Sequence, residues 1–437
     1  MAVDKAYSTS DPSTLFKHKY GKQSDATFNA SNVILGRMKK NELFTGDSYI
    51  INNPMSFSGG VGNTLLPKTN VGKYENATIT SKQAYAMLNV SREAIKAASD
   101  DAGSFVRLTK EPTKKALESF MRNESRQLFG DGSGILGRPL GTETAVTGLG
   151  TVASPYVVTF STTNYANSFH DAYWEERDYV QYVSGMGTNP DNSGGVVESD
   201  LLEIVEVNPT SRKVYLVGTS AALAALVAGV LAVPATSGFC MQNSYQGDFT
   251  GLRAVANKSV LYDAGSTTQT LYGVALQRRW KMLVTTKSSD AITKPFLNDM
   301  MLTIDRRSGK TPNMIVCGYT QFGKVLNLSE DQKRYDLMPR DSKFATAQFA
   351  WQAVEYMSTK GAVPVVVERM VKDDEIWFLH DDFIEGYFRP GMAQWADEDG
   401  AIFSRIPGKD TYEARYCLYG EIFITPPFHG LLNGLAV

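Results

Sequence analysis

Two stretches hold residue types that could do chemistry. The first is RNESRQLFGDGSGILG, residues 122–137, where glycines alternate with small polar residues beside a charged helical run. Glycines ahead of a helix expose backbone N–H groups to an anion and so cradle phosphate. Here the glycines follow the helix and no Gly-Lys-Ser/Thr closes the loop, so nucleotide binding is not expected. Gly130 is placed instead to be a left-handed cap at the helix end, and Asp131, Gly132, Ser133 and Gly134 turn the chain. Gly130, Gly132 and Gly134 thus form a candidate hinge. The second stretch is LHDDFIEG, in which His380, Asp381 and Asp382 offer an imidazole and two carboxylates to a hydrolase. Neighbouring residues on a strand end point to opposite faces, so these three are not expected to converge. The aspartates are expected to cap a following helix.

The rest of the composition adds no further chemistry. Cys240, Cys317 and Cys417 are odd in number and without a paired short spacing, which supports neither a disulfide framework nor a zinc ribbon and fits buried thiols in a reducing compartment. The four histidines, His18, His170, His380 and His429, show no metal-helix spacing. No catalytic, cofactor or metal site is assigned, and the chain is read as a non-enzyme. Lys plus Arg is 44 against 46 for Asp plus Glu, a net charge of −2, whereas a tight nucleic-acid binder shows a basic excess. Residues 1–46 carry seven basic against four acidic side chains, a local +3 that reads as a solvated arm. The opening MAVDKAYSTSDPST has no basic-then-apolar signal and reads as an untethered tail. The apolar run AALAALVAGVLAVPA, 221–235, is too short for a bilayer and is read as core closed by Pro234, so no membrane association is expected.

These residues must be positioned by a chain of 437 residues, 43% hydrophobic, which can bury several cores. SYIINNP and GKYENATIT flank the glycine-containing SFSGGVGNTLLPKTN and read as a long hairpin that cannot bury itself within its own chain and needs something outside this fold unit to hold it. KQAYAMLNVS alternates Ala84, Ala86, Leu88 and Val90 with polar or larger neighbours, a strand half-buried on one face. REAIKAASDD reads as a short helix. A longer helix begins at Glu111 and Pro112 and runs to about residue 129, with a narrow stripe of Leu117, Phe120, Met121, Leu128 and Phe129 and a polar face that includes Arg122, Ser125 and Arg126. Between 147 and 240 short strands dominate: YVVTF, DYVQYV, and a hairpin over 201–217 joined by NPTSR, with SGMGTNPDNSGG (184–195) as a surface excursion. From about 250 helix and strand mix. KPFLNDMMLTIDRRSG and YTQFGKVLNL read as helices, and PNMIVCG, VPVVVERM and EIWFLH as strands. QWADEDGAIFSRIPGKDTYEARYCLYGEIFITPPF reads as a second overlong hairpin turning at RIPGKD.

Taken in order, the basic arm, the long hairpin, KQAYAMLNVSREAI, the helix ending in FGDGSGILG, the mixed region with PNMIVCGYTQFGKVL and GAVPVVVERM, and the closing YCLYGEIFITPP resemble a tailed-bacteriophage major capsid protein of the Hong Kong 97 type. That resemblance implies an α+β capsid fold with an N-terminal arm (1–46), an extended hairpin loop (47–80), a peripheral domain with a spine helix (81–140) and a β-rich insertion (141–249). It further implies an axial domain (250–386), a peripheral return hairpin (387–425) and a C-terminal axial segment (426–437). The implied function is a shell subunit that self-assembles as pentamers and hexamers into an icosahedral head around double-stranded DNA, in the virion after assembly in the host cytoplasm. Partners implied are further copies of the chain, a separate scaffolding protein, a portal and, optionally, a decoration protein, with packaged DNA touched only weakly and non-specifically. Candidate intersubunit contacts are Phe57, Leu65, Leu66 and Lys68 in the hairpin and Arg405 and Lys409 in the closing turn. Some relatives form a Lys–Asn isopeptide between such elements. Lys68 and Lys73 are available here, but SRIPGKDTY, 404–412, has no Asn, so cross-linking is not expected. The rival readings are an encapsulin-type shell, which shares the fold, a tail-tube or surface-layer protein, and the hydrolase built on LHDDFIEG.

Overall fold

The computed structural model describes residues 33–42, 44–56, 72–93, 102–139, 150–160, 169–187, 192–197, 200–219, 236–266, 268–330, 354–358, 361–390, 394–396 and 402–437. The chain enters through helix α1 (Val33–Arg37) and strand β1 (Lys39–Asn41), forms the hairpin β2 (Ser48–Ser56) and β3 (Lys73–Thr80), and continues into β4 (Lys82–Ser91) and helix α2 (Ala102–Leu128). The hairpin is antiparallel from Ser48↔Thr80 outwards. Its two faces differ: Tyr49, Ile51, Met55, Ala77 and Ile79 turn inward against Phe44, Val274, Trp280, Tyr387 and Phe423, while Ile50 and Tyr74 on the other face stay exposed. Thr78 also donates its N–H to the Tyr272 carbonyl at 2.8 Å. The expectation that something outside must hold this ribbon is therefore corrected, because the period-2 alternation finds an apolar floor within the same chain. Helix α2 starts about ten residues earlier than expected and Pro112 lies inside it. The expected short helix at 92–101 lies mostly outside the described residues, as does the apolar run 221–235.

A β-rich module follows: β5 (Ile135–Gly137), β6 (Tyr156–Thr159), β7 (Tyr179–Ser184), β8 (Val196–Val197), β9 (Leu202–Asn208), β10 (Lys213–Gly218) and β11 (Gly238–Met241). They make one seven-stranded sheet in the order β5-β11-β7-β9-β10-β6, with β8 on β7. The sheet thus takes in residues ahead of 141. Its core is aromatic: Phe160, Trp174, Tyr182 and Phe239 are buried together, with Phe160 and Trp174 ring centroids 4.7 Å apart. The 184–195 loop, expected on the surface, buries Met186 and Asn192. Asn192 takes a hydrogen bond from Arg138 and gives one to Asp131, and the Gly187 carbonyl accepts from Arg138 at 2.8 Å. Those partners draw the loop inward.

The remaining elements are α3 (Leu252–Asp263), β12 (Thr270–Leu271), β13 (Val274–Ala275), β14 (Leu283–Asp290), α4 (Lys294–Ser308), β15 (Met314–Cys317), α5 (Tyr319–Glu330), β16 (Val354–Ser358), β17 (Gly361–Val367) and β18 (Ile376–Leu379). They are followed by β19 (Ile384–Phe388), β20 (Gln394–Trp395), β21 (Ser404–Arg405), β22 (Thr411–Ile424) and β23 (Gly430–Leu435). A mixed six-stranded sheet runs β14-β23-β18-β15-β17-β16, with β14/β23 and β15/β17 parallel. Helices cover both of its faces. Leu297, Met300, Met301 and Ile304 of α4 join Ile315 and Cys317 on one side, and Leu252, Val255 and Ala256 of α3 join Met314, Val316 and Trp377 on the other. That is why MIVC and IWFL are unbroken apolar runs. Helix α4 opens with Pro295 in its first turn and closes on left-handed Gly309 (φ 73°), whose N–H returns to the Asp305 carbonyl at 2.7 Å.

The other six-stranded sheet is built around β22, a strand of 14 residues. It pairs with β4 from Thr411↔Ser91 to Gly420↔Lys82 and with β19, β20 and β21 along its opposite edge. β1 adds in parallel to β19. The expected second free hairpin is thus corrected: among the described residues one arm contributes β20 and β21, and the other, β22, is completed by β4 of the same chain. Helix α2 crosses this sheet, with Phe120 edge-on to Tyr416 at 5.1 Å between centroids and Ala84 and Ala86 facing the same core.

Candidate functional site

Where α2 ends, the three main bodies meet. The sequence pattern placed Ser125 and Arg126 on a solvated face, yet residues 124–129 are all buried. The reason is a set of charges brought in from elsewhere. Arg126 pairs with Asp248 at 2.8 Å, both nearly inaccessible. Lys82 of β4 lies 3.5 Å from Glu421 of β22 and donates to the Asp248 carbonyl. Glu421 in turn accepts the Thr250 N–H at 2.7 Å and the Ile422 N–H at 3.0 Å. Burial nevertheless raises the Glu421 carboxyl above the usual carboxylate range, against the pull of Lys82. Glu124 is pushed up to about 8, first by burial and then by Asp248, and its Oε1 has no hydrogen-bond partner. Burial thus favours its protonated form inside the joint. Behind it, Arg253 of α3 pairs with the fully buried Glu375 and stands over the Trp377 ring at 5.8 Å.

The glycine loop fits this joint tightly. Gly132 and Gly134 take left-handed backbone (φ 78° and 79°), but Gly130 does not. Its N–H turns back to Gln127 O at 2.9 Å and its carbonyl accepts the Ala254 N–H at 3.3 Å. The expected left-handed cap at Gly130 is corrected: the first turn of α3 supplies the donor, so no reversal is needed at the helix end. A Cβ on Gly251 would collide with the Gln127, Leu128 and Gly130 carbonyls, and one on Gly134 with the backbone of Ser244. Asp131 Oδ1 accepts from Ser133 N (3.0 Å) and Ser133 Oγ (2.6 Å). The loop has no lysine of its own, the neighbouring Lys82 is engaged by Glu421 and the Asp248 carbonyl, and no helix N-terminus is free, so the loop is a packed seam and not an anion cradle.

The expected contact residues are spread over two regions. Phe57, Leu65, Leu66 and Lys68 lie outside the described residues. Arg405 ends β21 and Lys409 sits in the turn with left-handed Gly408, both exposed. Near them, β4 turns Tyr85 and Met87 to solvent, and its edge away from β22 pairs with no strand among the described residues. This exposed strip was hidden in the sequence by the very alternation that identified the strand.

His380, Asp381 and Asp382 do converge, contrary to expectation. The strand stops at Leu379 and a 3-10 turn, Asp381–Phe383, swings both carboxylates to one side, so that ligating atoms of the three fall within 4.8 Å of one another. Neither aspartate caps the turn. Asp382 is 3.1 Å from Lys39, and Asp381 is 4.0 Å from Arg37 and accepts from Asn313. Burial lowers the His380 pKa despite both aspartates. Cations of the α1–β1 segment already occupy the carboxylates, so the cluster works as an ionic clasp for that segment. The cysteines are all buried, and burial pushes Cys240 and Cys317 up to about 12, which makes them inert. Among the described residues no helix is long and apolar enough to cross a membrane.

Comparison with known proteins follows the fold. Residues 225–402 match the family model "SU10 major capsid protein". The capsid subunit of cyanophage A-1(L) shares 11% identity over 99% of this chain and 100% of its own, with a TM-score of 0.55. The capsid subunit of a native GTA particle (11% identity, 100% and 96% covered, TM-score 0.43) and the Synechococcus elongatus SrpI encapsulin (9%, 99% and 96%, 0.40) are more distant. No curated protein sequence matches. The fold is of the Hong Kong 97 capsid type, and the chain is similar to major capsid proteins of tailed phages.

Proposed function

We propose that this chain, which has the Hong Kong 97-type capsid fold, is a shell subunit that assembles as pentamers and hexamers into an icosahedral head around double-stranded DNA. The observation that carries this reading is the full-length likeness to a cyanophage capsid subunit. The surfaces support it. The chain closes its own cores, then leaves the outer face of the β2–β3 ribbon, with Ile50 and Tyr74, and the strip of β4 with Tyr85 and Met87 open to solvent. Two exposed apolar strips at different places suit head-to-tail contacts, which generate closed rings. Residues 47–80 would reach a neighbour, with Phe57, Leu65, Leu66 and Lys68 at the tip, and Arg405 and Lys409 would meet it from the peripheral sheet. The 250–386 region and 426–437 would gather around the symmetry axes. Glycines 130, 132 and 134 would act as a seam about which the bodies keep their angle. Scaffold, portal and decoration proteins are the partners such a head requires or allows.

Expression of the chain alone and with its genetic neighbours, followed by electron microscopy and sedimentation, tests this. Closed shells that enclose nucleic acid are expected. Monomers persisting under every assembly condition, or shells that take up protein cargo and no DNA, would count against it.

A further inference from the structure

Charge is unevenly divided along this nearly neutral chain. Residues 141–249 hold eleven acidic side chains against three basic ones, Arg177, Arg212 and Lys213, a net −8, so the remainder carries +6. The basic excess has a focus against the outer end of the described β2–β3 ladder. Trp280 is buried in the ribbon's apolar floor, which leaves Arg278 and Arg279 exposed beside it. Arg279 donates to the Met55 carbonyl of β2 at 3.3 Å. Arg307, from the last turn of α4, donates to the Arg278 and Lys281 carbonyls at 3.4 and 3.3 Å. Lys281 is paired with Asp263. No carboxylate among the described residues lies within ion-pair distance of Arg278, Arg279 or Arg307. Burial lowers the Arg307 pKa, with Asp263 opposing the shift and Arg278 adding to it. Asp263 is itself paired with Lys281, so one carboxylate faces four cations and the patch carries a net positive charge in the single chain.

We propose that this patch docks onto the acidic β-rich module of a second copy of the chain. The inference rests on the shell reading and names one of its contacts. Three features select that occupant. The patch is continuous with β2, the element that would reach a neighbour. The module supplies the opposite charge beyond Glu175, Asp178 and Asp248, which Arg122 and Arg126 take up: Glu176 and Glu206 are exposed on it, and its 175–178 turn is hydrogen-bonded to β9 through Arg177 N to Ile204 O (2.7 Å) and Ile204 N to Asp178 O (3.0 Å). A net charge of −2 for the whole chain does not favour a polyanion over a neighbour.

The test uses the full chain. Arg278→Glu with Arg279→Glu should raise the concentration needed for assembly about tenfold or more, the scale of a lost close charge pair, with circular dichroism and melting unchanged. Arg278→Gln with Arg279→Gln should show an intermediate loss and serves if the reversal misfolds. Glu176→Lys with Glu206→Lys should impair assembly alike, and combining both reversals should restore it. Low-salt sedimentation of the unassembled chain reads the same contact, so a wild type that forms no shell counts against the shell reading while the self-association still reports on the patch. Reversal without effect on either readout, or a combined variant no better than its parents, overturns the proposal. Normal assembly with weakened DNA retention would overturn it too, by reassigning the patch to nucleic acid.

Discussion

Glu421 is the most informative single perturbation. Its carboxylate is 3% exposed and serves Thr250 N and the neighbouring Ile422 N on Oε1, and the Thr250 hydroxyl and Lys82 of β4 near Oε2. Replacing it by Ala orphans two backbone N–H groups, each costing about 1–3 kcal/mol when buried, and strips a partly buried ammonium of its partner, for which breaking a buried pair costs about 3–5 kcal/mol. These terms overlap because water enters the space, so about 4 kcal/mol is expected, or roughly 1–2 M in the urea midpoint of a large unit. Glu421→Gln keeps an acceptor at Oε1 and removes the charge. Since burial already disfavours that charge, the loss should be about 1–2 kcal/mol. Urea unfolding of the unassembled chain, with Lys82→Met to complete a double-mutant cycle, gives both numbers; the coupling should be about 1–3 kcal/mol. If the Ala variant lies within about 1 kcal/mol of wild type, or the Ala and Gln variants are equal, the joint is not held as argued.

Other outcomes follow from the same region. Glu124 has a folded-state pKa of about 8, above its ordinary 4.5, so the folded chain holds this proton more tightly than the unfolded one. Its stabilising share is complete below about 4.5 and is lost as pH rises towards 8. Glu124→Gln should therefore melt above wild type at pH 8, with the gap shrinking to nothing below pH about 4.5 in a pH series of thermal unfolding curves. Gly134→Ala and Gly185→Ala both place Ala on left-handed backbone, but only the first meets other atoms. Gly134→Ala should be the worse by about 1–3 kcal/mol, the cost of overpacking, and equal losses in denaturant titrations would show that the seam gives way.

Much of the fold was legible where the pattern is local. The alternation of Ala84, Ala86, Leu88 and Val90, the turn at 209–212 and the proline start and glycine stop of α4 each write an element into a short window. What failed was non-local. Nothing near Thr411 says that it pairs with Ser91, so β22 looked like a free ribbon. Ser125 and Arg126 read as solvated because Asp248 is far away in sequence. Helix α3 leaves little periodic trace in the sequence, because Arg253, Ala254, Val255, Ala256 and Ser259 are all buried and only Asn257, Lys258 and Asp263 mark a polar side. Pro112 was read as a start by a preference for first turns, and the helix runs through it. His380, Asp381 and Asp382 were separated by a rule for strands that stops applying at Leu379.

The corrections change how assembly should work. Had the two ribbons been unable to bury themselves, folding would have depended on neighbours and the single chain would be unstable. Instead β22 finds β4, the hairpin's inner face finds Trp280 and Phe423, and the charges at the joint are neutralised or protonated internally. On the proposed shell reading, contacts between copies then need not supply folding energy, and each can be weak because many would act at once. A folded monomer at low concentration is thus consistent with a shell protein. What the interfaces must supply is direction, and for that a strip such as Tyr85–Met87 is less selective than charge, because like charges brought together are penalised and opposite ones are not. On the proposed contact, a net basic patch beside the hairpin and an acidic module on the same polypeptide give every copy one of each. That arrangement allows head-to-tail pairing, which generates a ring where the rotation between copies closes.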